Sequence, residues 1–220
     1  MSATSAQNST NRLVSLLSSR SVVLGDGANG TRLSQKGFPH ESYDLANLLA
    51  PDLVREVHQE YIAAGSDFIE TNTFAANRVR LAGKNYDVVE LNLAGARLAR
   101  EAAGDKVVVG AIGPCGKPLQ PIGAISEEEA YAAFFEQAGA LAQGGVDGFL
   151  LETFIDMREL DLALKAVHAA APDLPIIVSK AFIEDGEALL EGLPGRCAAD
   201  MEGSGVIAIG LSVGKAAAYG

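Results

Sequence analysis

Four short polar stretches in this chain carry residue types able to do chemistry, and each follows an apolar run. Residues 26–31 read Asp26-Gly27-Ala28-Asn29-Gly30-Thr31, a glycine-rich turn headed by an acid. Such a turn can cradle phosphate with backbone N–H groups, but no lysine follows and the spacing is neither G-x-G-x-x-G nor a P-loop. An aspartate at that point can instead hold a substrate ammonium through a charge-assisted hydrogen bond, or serve its own turn as an acceptor. The second stretch is Glu70-Thr71-Asn72-Thr73-Phe74. Its four polar residues are a poor filling for a core, so they either face a ligand or satisfy loop backbone. In the third, Gly113-Pro114-Cys115-Gly116, a thiol sits in a turn with no histidine near it in sequence, which favours an inert cysteine over a nucleophile. In the fourth, Glu152 closes the apolar run Phe149-Leu150-Leu151. A buried unpaired carboxylate is costly, so Glu152 is expected to face a cavity, a cation or a ligand. Asp26 and Glu152 would make either an acid pair of glycosidase type or a joint grip on one ammonium, and spacing in sequence leaves both open.

The elements that must position these residues alternate. Six runs rich in Val, Ile, Leu and Phe, at 21–24, 67–70, 107–111, 148–152, 175–179 and 205–211, read as buried strands. Between them run helical patterns. Leu53, Val57 and Tyr61 recur on one face after Pro51, and Gly65 supplies a stop. Ser126 with Glu129, and Asp156 with Glu159, have capping-box spacing. Continuous rather than alternating apolar strands joined by helices mean parallel βαβ units. Both a doubly wound sheet and a (β/α)8 barrel accommodate them, and both place their sites at the C-terminal ends of the strands.

Composition narrows the function classes. Seventeen Lys and Arg against 28 Asp and Glu give a net charge of -11, which repels nucleic acid and anionic lipid. Mean hydropathy of +0.17 excludes a disordered chain, and two cysteines exclude a disulfide scaffold. No apolar run is long enough to span a bilayer. Two cysteines 82 residues apart and three scattered histidines form no zinc spacing. The first 21 residues hold seven serines, Arg12 and Arg20 and no acid, which half meets the signature of a transit peptide. Leu13, Val14, Leu16 and Leu17 would otherwise form a short helix there. Residues 1–20 are therefore read as a polar segment with a short helix, and 21–220 as one domain, with the cytoplasm as default compartment.

In order, residues 26–31 (DGANGT), 57–73 (VHQEYIAAGSDFIETNT), 112–116 (IGPCG) and 150–159 (LLETFIDMRE) resemble the homocysteine S-methyltransferase family, with weaker echoes at 182–192 and 205–210. The family includes the homocysteine-binding module of cobalamin-dependent methionine synthase and the betaine–homocysteine methyltransferases. The likeness runs in register from about residue 12 to 214. It implies an α/β fold of (β/α)8 TIM-barrel type and transfer of a methyl group to homocysteine sulfur, giving methionine. It also implies substrate-binding roles for Asp26 and Glu152 at the amino group, Gly27 along the amino acid, and Asn72 and Thr73 at the same mouth.

The resemblance further implies a zinc ion that holds the substrate thiol as thiolate, on one cysteine after the sixth strand in a G-x-N-C context and two adjacent cysteines after the eighth. This sequence departs there. It reads Gly210-Leu211-Ser212-Val213-Gly214-Lys215, contains no Cys-Cys pair, and has Cys115 and Cys197 at other positions. The expectation is an incomplete barrel, C-terminally truncated, with about six of eight βα units. It would bind homocysteine, bind zinc poorly, carry out no catalysis alone, and self-associate through open strand edges. The alternative is a non-catalytic remnant that binds an amino acid or acts as an interaction module. The methyl donor is not identified by these residues.

Overall fold

The computed structural model describes residues 11–39, 42–182 and 193–213. The family-like stretch at 183–192, residues 214–215 and the first ten residues lie outside the described residues. Five parallel strands form one sheet in the order β1-β2-β3-β4-β5: β1 Phe68–Glu70, β2 Val107–Ile112, β3 Gly148–Phe154, β4 Ile176–Phe182 and β5 Ala208–Val213. Each strand pairs with the next in sequence. A doubly wound sheet reverses its order at a switch point, so an unbroken sequential order belongs to the barrel type.

Helices α1 Arg12–Ser19, α2 Asn29–Gln35, α3 Ala46–Leu49 and α4 Pro51–Ala63 lie around or before β1. The crossovers are α5 Val88–Ala103, α6 Glu127–Gln143, α7 Met157–Ala170 and α8 Leu193–Asp200. Pro51 opens α4, where its missing N–H costs nothing. Ser126 and Glu129 complete a reciprocal capping box at α6. The second predicted box does not form. Asp156 caps the N–H of Arg158 at 2.8 Å, and Glu159 turns inward to accept the Cys115 N–H at 2.7 Å.

Strand alternation sorts side chains onto two faces. Ile69, Val108, Phe149, Leu151, Ile176 and Val178 point outward and pack against α5, α6 and α7 in the main core. Phe68, Val107, Val109, Leu150 and Ile177 point inward. Leu13 of α1 is fully buried against that inner cluster and plugs the end at which the strands begin.

The expected strand at 21–24 is not one. Leu24 O accepts the N–H of Asp67 at 2.7 Å and of Phe68 at 3.4 Å, but Leu24 N donates to the Asp67 carboxylate at 3.0 Å. The acid side chain captures the donor that would extend a ladder, and Val22 and Leu24 stay exposed. At the other edge, Ile207 just before β5 and Ile209 and Leu211 on it are exposed, on the face that helices cover along β4.

Candidate active site

One cavity of about 1460 Å³ opens at the C-terminal ends of the strands, and all five site residues proposed from sequence line it: Asp26, Gly27, Asn72, Thr73 and Glu152. The inward face explains the convergence. Glu70 lies two residues beyond Phe68, and Glu152 two beyond Leu150, so both carboxylates stand one layer above the apolar floor. Asp26 reaches them from the turn after residue 24. One of its oxygens accepts the Glu70 N–H at 3.1 Å, and the other is buried with no hydrogen bond of ordinary length among the described residues.

The three acids share a poorly solvated space, and each feels its neighbours. Burial first, and then repulsion from Glu152, raises Asp26 to about 7 against hydrogen bonds from backbone and from the Asn29 side chain that pull it down. Burial first, and then Asp44, raises Glu152 to about 7. Glu70 is pushed well up, again by burial and then by Glu152 and Asp26. A positive charge placed among them would relieve all three shifts. Glu70 was missing from the sequence-derived site. The available signal was its two-residue step from Phe68 on an inward face.

The other predicted residues form the walls. Gly27 leaves room for Tyr61, since a Cβ there would stand 3.0 Å from its ring. Tyr61 donates its hydroxyl to Ala28 O at 3.3 Å, which fixes the turn. Asn72 donates to Tyr43 O at 2.8 Å and to Asn47 Oδ1 at 3.1 Å. Thr73 donates to Ala111 O at 2.8 Å and contacts the Thr71 hydroxyl at 2.6 Å. These side chains brace the mouth with hydrogen bonds made inside the protein.

Glu152 is followed by an irregularity. Its register partner is Ser179, but Phe154 pairs with Lys180, so Thr153 is an extra residue in β3. Thr153 has φ 64, a backbone region that costs a β-branched residue about 1–3 kcal/mol. The bulge lets Glu152 and Thr153 both line the cavity while Phe154 packs outward against Phe134.

Zinc finds no fitting set here. Among the described residues no three His, Cys, Asp or Glu side chains converge to hold a metal. Cys115 is fully buried beside Glu159, and burial and that carboxylate together push its thiol far up, so it stays protonated. Cys197 is buried on α8. Ser212 of β5 carries a neutral hydroxyl, a poor substitute for a thiolate.

Residues 23–218 match the profile of the homocysteine S-methyltransferase family. The chain belongs to this family. Methionine synthase of Mycobacterium leprae is 30% identical over 213 residues, a match covering 87% of this chain and 17% of that protein. Methionine synthase of Mycobacterium tuberculosis is 30% identical over 222 residues, covering 91% and 18%. The chain therefore spans less than a fifth of the length of these relatives. The apo crystal structure of the homocysteine methyltransferase MmuM from Escherichia coli superposes with a TM-score of 0.72 at 27% identity, covering 91% of this chain and 75% of that one. The metallated form of MmuM shares the fold at 21% identity. As a homocysteine S-methyltransferase family member, the chain has the TIM-barrel-type α/β fold that its sequential parallel sheet indicates.

Proposed function

We propose that this chain binds homocysteine for methyl transfer to its sulfur. Asp26 and Glu152 take the ammonium, Gly27 lies along the amino acid, and Asn72 and Thr73 shape the wall. The observation that carries this reading is the convergence of the buried Asp26 carboxylate with two further acids, one Asp26 oxygen making no hydrogen bond of ordinary length among the described residues although the Asn29 side chain stands beside it. A primary ammonium supplies the donor and the charge at once. The same reading makes the 220-residue chain silent in catalysis by itself. Its two cysteines do not provide three converging thiolates, and a free homocysteine thiol with a pKa of about 8.5 is mostly protonated at neutral pH. A non-catalytic amino-acid-binding remnant is favoured by that donor set. The two readings differ in whether added thiolate ligands restore turnover.

Calorimetric titration with L-homocysteine, paired with elemental analysis for zinc with and without homocysteine, tests the proposal. The expected result is saturable homocysteine binding, far less than one zinc per chain, and no methionine formed. Absence of homocysteine binding overturns the binding reading. One zinc per chain with turnover overturns the catalytic silence. Among the described residues no strand pairs with the outer edge of β5, and Ile207 just before it and Ile209 and Leu211 on it are exposed; this supports self-association, which sedimentation would register as a concentration-dependent mass. Among the described residues no helix is long and apolar enough to cross a membrane.

A further inference from the structure

The cavity is polarised. Its floor carries Asp26, Glu70 and Glu152, whereas Arg80, Lys84 and Lys117 line the same cavity and are exposed. In a chain of net charge -11, none of these three cations has a carboxylate within ion-pair distance among the described residues. Arg80 acts on two nearby acids through space, its charge partly offsetting the upward shifts of Asp44 and Glu159, but both carboxylates are hydrogen-bonded elsewhere. Asp44 accepts the Ala75 N–H at 2.9 Å, and Glu159 accepts the Cys115 N–H at 2.7 Å.

Arg80 is also held in place rather than left to wander. Its Nε donates to Pro114 O at 2.8 Å, and its guanidinium carbon lies 5.6 Å from the centre of the Phe74 ring. It rests on Gly116, where a Cβ would stand 2.8 Å from the guanidinium carbon and where φ is +78. Glycine therefore serves twice at 116, giving the turn its conformation and the arginine its seat. With Nε occupied, the terminal Nη groups remain for a planar or tetrahedral oxyanion. The volume points the same way. A cavity of about 1460 Å³ exceeds the roughly 300–1,000 Å³ of a single small-ligand pocket, so an amino acid on the acids leaves room for a second reactant.

We propose that Arg80, Lys84 and Lys117 form an oxyanion site at the cavity mouth, which takes a phosphate or carboxylate group of the methyl donor while the acids hold the amino acid. The oxyanion site stands on the rim alone; naming its occupant as the methyl donor rests on the homocysteine reading above. Phe74, Val79 and Ala82 line the cavity beside the cations, so the anion recognised there has an apolar portion attached.

The test uses the full chain in low-chloride buffer, titrated separately with inorganic phosphate and with glutarate, and with L-homocysteine as the control for the reading beneath. Saturable binding of at least one anion is expected, and the tighter arm identifies phosphate or carboxylate as the group. Arg80→Gln is expected to weaken that binding at least tenfold, Arg80→Lys less, and Lys84→Gln with Lys117→Gln at least threefold. The lysine variants keep the test open if Arg80→Gln fails to fold. No saturable binding of either anion, or unchanged affinity in the variants, overturns the site. Loss of homocysteine affinity in Arg80→Gln as large as the loss for the anion also overturns it, by assigning the rim to the amino acid's own carboxylate. If the unmodified chain binds an anion but not homocysteine, the oxyanion site survives and the homocysteine reading falls.

Discussion

Asp26 accepts the backbone N–H of Glu70 at 3.1 Å, so the turn before α2 is tied directly to the end of β1. One carboxylate oxygen does structural work and the other is buried in the cavity wall without a hydrogen bond of ordinary length among the described residues. That division explains how three acids are kept together before any ligand arrives. The hydrogen bond holds Asp26 in place, the sheet holds Glu70 and Glu152, and protonation relieves the repulsion.

Stability of the ligand-free chain follows from those protons. Asp26 and Glu152 titrate near 7 in the fold, against 3.8 and 4.5 for the ordinary groups. The folded state then binds more protons than the unfolded one between those values, so their contribution to stability declines as pH rises from about 4 to about 7. Glu152→Gln should flatten that decline and raise the melting temperature at pH 8. It should also weaken homocysteine binding by about 2 kcal/mol, roughly 30-fold. Thermal melts across pH and calorimetric titration read the two effects.

His58 acts in the opposite direction. It is fully buried on α4 with neither ring nitrogen hydrogen-bonded among the described residues, and burial lowers it from 6.5 to about 4. Its stabilising contribution is complete above pH 6.5 and is lost as pH falls toward 4. His58→Phe should remove that loss. The melting temperature of the variant relative to the parent should rise as pH drops from 7 to 4.5, and a constant difference would contradict the assignment.

Thr153→Gly should stabilise the chain. Relief of a β-branched residue at φ 64 is worth about 1–3 kcal/mol, and the added freedom of glycine in the unfolded state takes back about 1 kcal/mol. A net gain near 1 kcal/mol raises the melting temperature by about 2–4 °C for a chain of this size. Denaturant titration should show the same sign.

Leu13→Ala should cost about 2–5 kcal/mol, because the side chain is fully buried against Val107 and Val109 in a space with little slack. A Cβ on Gly148 would already stand 2.6 Å from Leu13 Cδ2. The midpoint of chemical unfolding measures the loss.

Much of this arrangement was legible in the sequence, for physical reasons that can be named. Buried parallel strands need apolar side chains on both faces, so the runs at 107–111, 148–152 and 175–179 mark β2, β3 and β4 to within a few residues. Acids closing apolar runs pointed to the cavity through Asp26 and Glu152. Tertiary partners were not legible. The Asp67 side chain intercepts Leu24 N and cancels a strand that 21–24 had composition enough to form. Glu159 leaves its expected helix cap because Cys115 N needs an acceptor 44 positions away. Glu70 joins the acids and Arg80 joins the rim through folding alone.

The position of Leu13 makes α1 part of the barrel's own structure. Here α1 closes the base of the barrel, Asn11 donates to Asp147 O at 2.8 Å, and Arg12 reaches Asp147 as well. A peptidase cutting after Arg20 would remove a floor, leaving Val107, Val109 and Leu150 open to water. The lower ends of the strands thus depend on α1 as much as on the sheet itself.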